Sequence, residues 1–117
     1  MTAADVKARI VGGAAVLYPG AYLNRLKGEV LENRCQEFLI KGVRRLVINF
    51  EETELINSIG ISILLGVIEA VNAANGILLL SNLNDSNREL FEMLGLLSHI
   101  QIEESEQMAL AKLSVSA

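Results

Sequence analysis

The chain has 117 residues, of which 51% are hydrophobic and 4% aromatic, with no tryptophan. At that length a single domain is expected, with a core of Leu, Ile, Val and Ala large enough to need neither disulfide nor structural metal. The formal charge of −4 argues against a nucleic-acid binder, which normally shows a basic patch or stripe, and against binding at an anionic membrane surface.

Met1 to Arg9 is polar and lacks the apolar stretch of a secretory signal. Within and beyond it, Val6 to Val11 alternates apolar with basic residues, the period of a half-buried strand. Gly12-Gly13 can supply the positive φ angles of a tight hairpin, and Ala14 to Leu17 returns as a second strand ended by Tyr18-Pro19-Gly20. No helix start or Gly-Lys-Ser/Thr follows the glycine pair, so it reads as a turn and not a phosphate loop. From Leu23 to Leu39 the apolar positions form a helical stripe, with Asn24 as N-cap and Gly42 as the stop. Cys35 falls on that stripe and reads as core packing, because a free cysteine behaves as a small hydrophobe.

Arg44 to Phe50 is β-branched and apolar, as expected of a central strand covered on both faces. After the polar stretch Glu51 to Glu54 comes Leu55-Ile56-Asn57-Ser58-Ile59-Gly60-Ile61-Ser62, then a helix running to Asn75. The apolar run Leu55 to Val71 is interrupted by Asn57, Ser58, Ser62 and Glu69 and falls short of a membrane span. Gly66 inside that helix costs roughly 1 kcal/mol against Ala, which suggests close packing there. Ile77 to Leu80 is a further strand, and Ser81 to Asn84 a polar loop. Ser86 to Glu89 is a capping-box pattern opening a short helix that stops at Gly95. Ile100 to Ile102 reads as an edge strand, Glu104 to Leu113 as a terminal helix, and Ser114 to Ala117 as a frayed end. The order β-β-α-β-α-β-α-β-α predicts an α/β fold with a mixed, mostly parallel sheet and helices packed against it, as one domain over residues 1–117.

The segment Asn57-Ser58-Ile59-Gly60 lies where a strand ends and a helix begins. Either polar side chain can accept a bond from a free helix-start N–H. No acid occupies the first turn, so the positive end of the helix dipole has no counter-charge and a phosphate on Ser58 would be well placed. A catalytic role fits less well. A Gly-x-Ser-x-Gly elbow would need Gly where Ile56 stands, and His99, the only histidine, is the sole candidate base. Neither a carboxylate pair nor metal-ligand spacing supports hydrolysis, so the chain is read as a binding protein and not an enzyme.

Leu46-Val-Ile-Asn-Phe, the run Leu55 to Gly66, Gly76-Ile-Leu-Leu-Leu-Ser-Asn and Leu90-Phe-Glu-Met-Leu-Gly95-Leu together resemble the STAS domain, specifically the stand-alone anti-sigma factor antagonists. The resemblance implies a STAS-type fold with about four helices, and a cytoplasmic phosphoprotein that regulates transcription by partner switching. Its partners would be an anti-sigma factor that is itself an ATP-dependent serine kinase, and a phosphatase; ATP belongs to the kinase, so no cofactor is expected. Ser58 takes the place of the family's phosphorylated serine, Asn57 that of its Asp, Ile59 that of a second hydroxyl residue and Gly60 that of its glycine. Asn57 and Gly60 would shape the loop. Ile59, Ile61 and Ser62 would form docking surface, with Asn24 and the Asn82–Asn84 loop beside them. The alternatives are a non-switching STAS scaffold in a signalling or transport assembly, and a STAS protein holding a small ligand in its core.

Overall fold

The computed structural model describes residues 5–115; the expectations for Met1 to Ala4 and for the last two residues lie outside the described residues. The elements are β1 (Lys7–Val11), β2 (Ala14–Tyr18), β3 (Tyr22–Leu23), α1 (Arg25–Ile40), β4 (Arg45–Asn49), β5 (Leu55–Ile56), α2 (Ser58–Ala73), β6 (Ile77–Ser81), α3 (Asp85–Met93), β7 (Ile102–Glu103) and α4 (Glu106–Val115). Five strands form one sheet in the order β1-β2-β4-β6-β7, parallel except for the β1–β2 hairpin. The hairpin turns on Gly12 and Gly13, both with positive φ (56° and 86°), as a two-residue loop between twisted strands requires.

Strand alternation divides the apolar residues between two cores. Ala15, Leu17, Leu46, Ile48, Leu78 and Leu80 face one side, where Leu31 and Cys35 of α1, Ile61, Leu64, Val67 and Val71 of α2, and Phe91 of α3 cover them. Ala14, Val16, Val47 and Leu79 face the other side and are covered by Ala109 and Leu113 of α4. Burial pushes the Cys35 thiol up to about 12, which keeps it protonated and inert. Because β2, β4, β6 and β7 run parallel and each leads to a helix, β2 and β4 by way of the two-residue strands β3 and β5, all four helices start at the carboxyl edge of the sheet.

Several elements differ from the sequence reading. A second, two-stranded sheet pairs β3 with β5 in parallel, in a region read as loop and helix approach. The cap of α3 is Asn84, whose Oδ1 accepts from Asn87 N at 2.7 Å, so Ser86 lies inside the helix and not at its start. The last strand is Ile102–Glu103, and the terminal helix begins at Glu106 and includes Ser114. Gly66 is not a close-packing point: a methyl group there would meet nothing within 4 Å. Gly66→Ala is therefore expected to raise stability by about 0.5–1 kcal/mol through helix propensity and a less flexible unfolded chain, read from the urea midpoint. A lowered midpoint would contradict the open site.

The start of α4 is fastened to the sheet by a polar cluster. Glu106 Oε1 accepts from Tyr18 Oη at 2.6 Å and from Asn49 Nδ2 at 2.9 Å, while Arg9 pairs with Oε2 and donates through Nε to Tyr18 Oη at 2.9 Å. Burial pushes the Glu106 carboxyl up, but the bonds from Tyr18 and Asn49 and the Arg9 charge outweigh it, and the net pKa lies below the ordinary carboxylate value. A depressed folded pKa gives stability that is present above the unfolded value and lost as pH falls through the folded one. Between about pH 6 and pH 3 the wild-type urea midpoint should drop further than that of Glu106→Gln. Parallel losses would contradict the assignment.

Candidate functional site

The segment leading to Ser58 is built against the turn that leads into α1. Thr53 is buried and donates through Oγ1 to Gly20 O at 2.6 Å. Next, Glu54 N and Leu55 N both donate to Ala21 O, at 2.8 and 3.2 Å, and Asn57 N donates to Leu23 O at 3.0 Å. The β3–β5 ladder sets Tyr22 opposite Leu55 and Leu23 opposite Ile56. Leu23 and Ile56 are buried, and their partners Tyr22 and Leu55 turn outward, 54% and 55% exposed. This is the alternation expected of strands with one covered face.

Asn57 is extended (φ −89°, ψ 173°), and its Oδ1 accepts from Gly60 N at 2.7 Å, which completes the cap of α2. Ser58 is the first helical residue and is exposed. The first turn holds no acid, so the partial positive charge of its amides is unmatched by any side chain of that turn. Ile59, at 50% exposure, and Leu26, at 60%, are outward-facing apolar side chains on the first turns of α2 and α1. A depression of about 120 Å³ lined by Tyr22, Leu23, Asn24, Leu55 and Asn57 opens beside the serine. A wider trough of about 300 Å³ continues past Asn24 to Leu26 and Lys27. A neutral hydroxyl thus stands at a helix start beside an apolar rim.

Gly60 lies at the closest approach between α2 and β3. A Cβ at this position would overlap the Leu23 carbonyl oxygen and stand 2.8 Å from the carbonyl carbon. Only glycine lets the first turn of α2 lie against β3 at this distance.

Of the residues singled out from sequence, Asn24, Asn57, Ser58 and Ile59 come together here, with Gly60 beneath them. Asn24 caps α1, its Oδ1 accepting from Lys27 N at 3.0 Å. Ser62 is exposed one helical turn beyond Ser58. Ile61 is a correction: at 5% exposure it faces the core with Leu64, Val67 and Val71 and offers no docking surface. Asn84 is exposed but both ends of its amide are used within the chain, Oδ1 on α3 and Nδ2 on Thr53 O at 3.4 Å. Asn82 has φ 62°, and its buried Oδ1 has no partner among the described residues. Sequence reasoning missed Tyr22, Leu26 and Leu55, which look like core residues in an apolar chain, and the buried polar pair Thr53 and Asn87. Among the described residues no helix is long and apolar enough to cross a membrane.

Comparison with known proteins agrees with this architecture. The family model described as the STAS domain matches residues 5–109. BtrV of Bordetella bronchiseptica, described as a candidate anti-sigma factor antagonist, is 32% identical over 89 residues, 76% of this chain and 77% of BtrV. The crystal structure of a candidate anti-sigma factor antagonist from Thermotoga maritima superposes with a TM-score of 0.84 at 17% identity, covering 92% of each chain. The Bacillus cell fate determinant SpoIIAA in its phosphorylated form gives a TM-score of 0.72 at 20% identity, covering 92% of this chain and 98% of that one. At such identities the two structures speak for the fold alone.

Proposed function

This chain belongs to the STAS domain family, and from that membership we propose that it is an anti-sigma factor antagonist, one domain over residues 1–117, that works in the cytoplasm by partner switching. Its free form binds an anti-sigma factor that is a serine kinase, and so releases a sigma factor. Transfer of a phosphoryl group from ATP to Ser58 ends the binding, and a phosphatase restores it. The protein acts by contact and carries out no chemistry of its own.

The observation that carries this reading is an exposed Ser58 at an acid-free helix start beside the apolar rim of Tyr22, Leu26, Leu55 and Ile59. A bare hydroxyl loses little on being covered when the partner returns a hydrogen bond to it. A phosphate adds about −1.5 to −2 charges, which the helix start tolerates but a desolvated apolar contact does not. The same hydroxyl therefore serves as docking contact and as off-switch.

Adding the unphosphorylated chain to a preformed complex of sigma factor and anti-sigma factor tests the reading by size-exclusion chromatography. Free sigma factor is the expected product; an intact complex at saturating antagonist would contradict the function. Ile59→Glu puts a charge on the rim without entering the core, and it should raise the concentration needed for release by about tenfold or more.

A further inference from the structure

Asn87 is a fully polar side chain buried at 2% exposure in the first turns of α3. Its Nδ2 donates to Thr53 O at 3.3 Å and to Glu54 O at 3.4 Å. Asn84 Nδ2 joins it on Thr53 O at 3.4 Å, and Asn84 Oδ1 holds Asn87 N at 2.7 Å. Two asparagines of one helix start thus grip the carbonyls of the segment that delivers Ser58. From Thr53 onward that segment is held by the Gly20, Ala21 and Leu23 carbonyls. An apolar side chain would fill this position without the cost of burying an amide, so the amide's particular effect here is its hold on those two carbonyls.

We propose that Asn87, supported by Asn84, is a positioning residue for phosphotransfer at Ser58, acting through residues 53–57; the proposal rests on the acceptor reading of Ser58 given above. In the transfer, the Ser58 hydroxyl oxygen attacks the terminal phosphorus of the nucleoside triphosphate held by the kinase. The new O–P bond forms as the bond to the bridging oxygen breaks, the diphosphate leaves, and the hydroxyl proton passes to a base on the kinase. A misplacement of about 1 Å at an attacking atom can cost on the order of a hundredfold in rate. The Asn87 latch limits that error without touching the partner-facing rim.

Two variants test it in the full chain with kinase and ATP. Asn87→Ala removes both bonds from the buried amide. Asn84→Ser keeps an oxygen able to cap α3, removes the amide donated to Thr53 without adding a charge, and lies on the surface, so it folds even if the first variant does not. Both should lower kcat for phosphate uptake, Asn87→Ala by about tenfold, with KM within about twofold because the docking rim is intact. Amide hydrogen exchange should quicken at Leu55 and Asn57 by about fivefold or more and stay unchanged in β1 and β2. Unchanged kcat in variants of a phosphorylatable chain, or faster exchange spread evenly over the sheet, would overturn the positioning role alone. A wild-type chain that takes no phosphate would overturn the acceptor reading itself.

Discussion

Gly60→Ala is expected to cost about 2–3 kcal/mol of stability, the cost of forcing a methyl group into a packed contact. The contact in question is backbone: the added Cβ would overlap the Leu23 carbonyl oxygen and stand 2.8 Å from its carbon, with Leu23 Cγ at 3.1 Å. Leu23 O is also the acceptor for Asn57 N at 3.0 Å, so relief of the clash must loosen either the β3–β5 ladder or the cap of α2. Both lie directly before Ser58. The control is built into the same helix, because Gly66→Ala meets open space and should stabilise. Urea midpoints of the two single variants should therefore move in opposite directions. A Gly60→Ala protein as stable as wild type would show that α2 does not need to approach β3 so closely.

The pair of glycines also shows what the sequence could reveal. A glycine inside an apolar helix pattern signals either a packing contact or none, and nothing at Gly66 itself distinguishes the two. At Gly60 the neighbouring cap Asn57 and the following apolar stripe marked the helix start, and the structure agrees. The hairpin, the central strand and the helices were legible because periodicity and turn residues act locally. The β3–β5 ladder was not, since two-residue strands are too short to show alternation and are held by partners distant in sequence. The Ser86 to Glu89 pattern matched a capping box, but the chain is already extended at Asn84 (φ −73°, ψ 168°), and the helix starts there. Nothing in the sequence marks Tyr22 and Leu55 as surface residues, and only their outward places on the small ladder reveal them as such. Ile61 shows the reverse error: next to the serine motif in sequence, it turns to the core with Leu64.

The second large effect concerns Ser58. Ser58→Asp places a carboxylate at the acid-free start of α2, where the helix dipole favours it, so the variant should fold at least as well as wild type. Its binding to the anti-sigma factor should nevertheless weaken by roughly a hundredfold, about 3 kcal/mol, because docking would bury a charge beside Tyr22, Leu55 and Ile59 without a partner for it. Ser58→Ala removes the hydroxyl but adds no charge, so it should keep affinity within about tenfold of wild type. Undiminished binding by Ser58→Asp, measured calorimetrically, would favour a scaffold that does not switch.

Intact mass after incubation with the kinase and ATP puts the assignment of Ser58 to its most direct test. The wild-type chain should gain the mass of one phosphoryl group, and Ser58→Ala should gain none while still binding the kinase. A Ser58→Ala chain that takes up phosphate as readily as wild type would contradict the assignment.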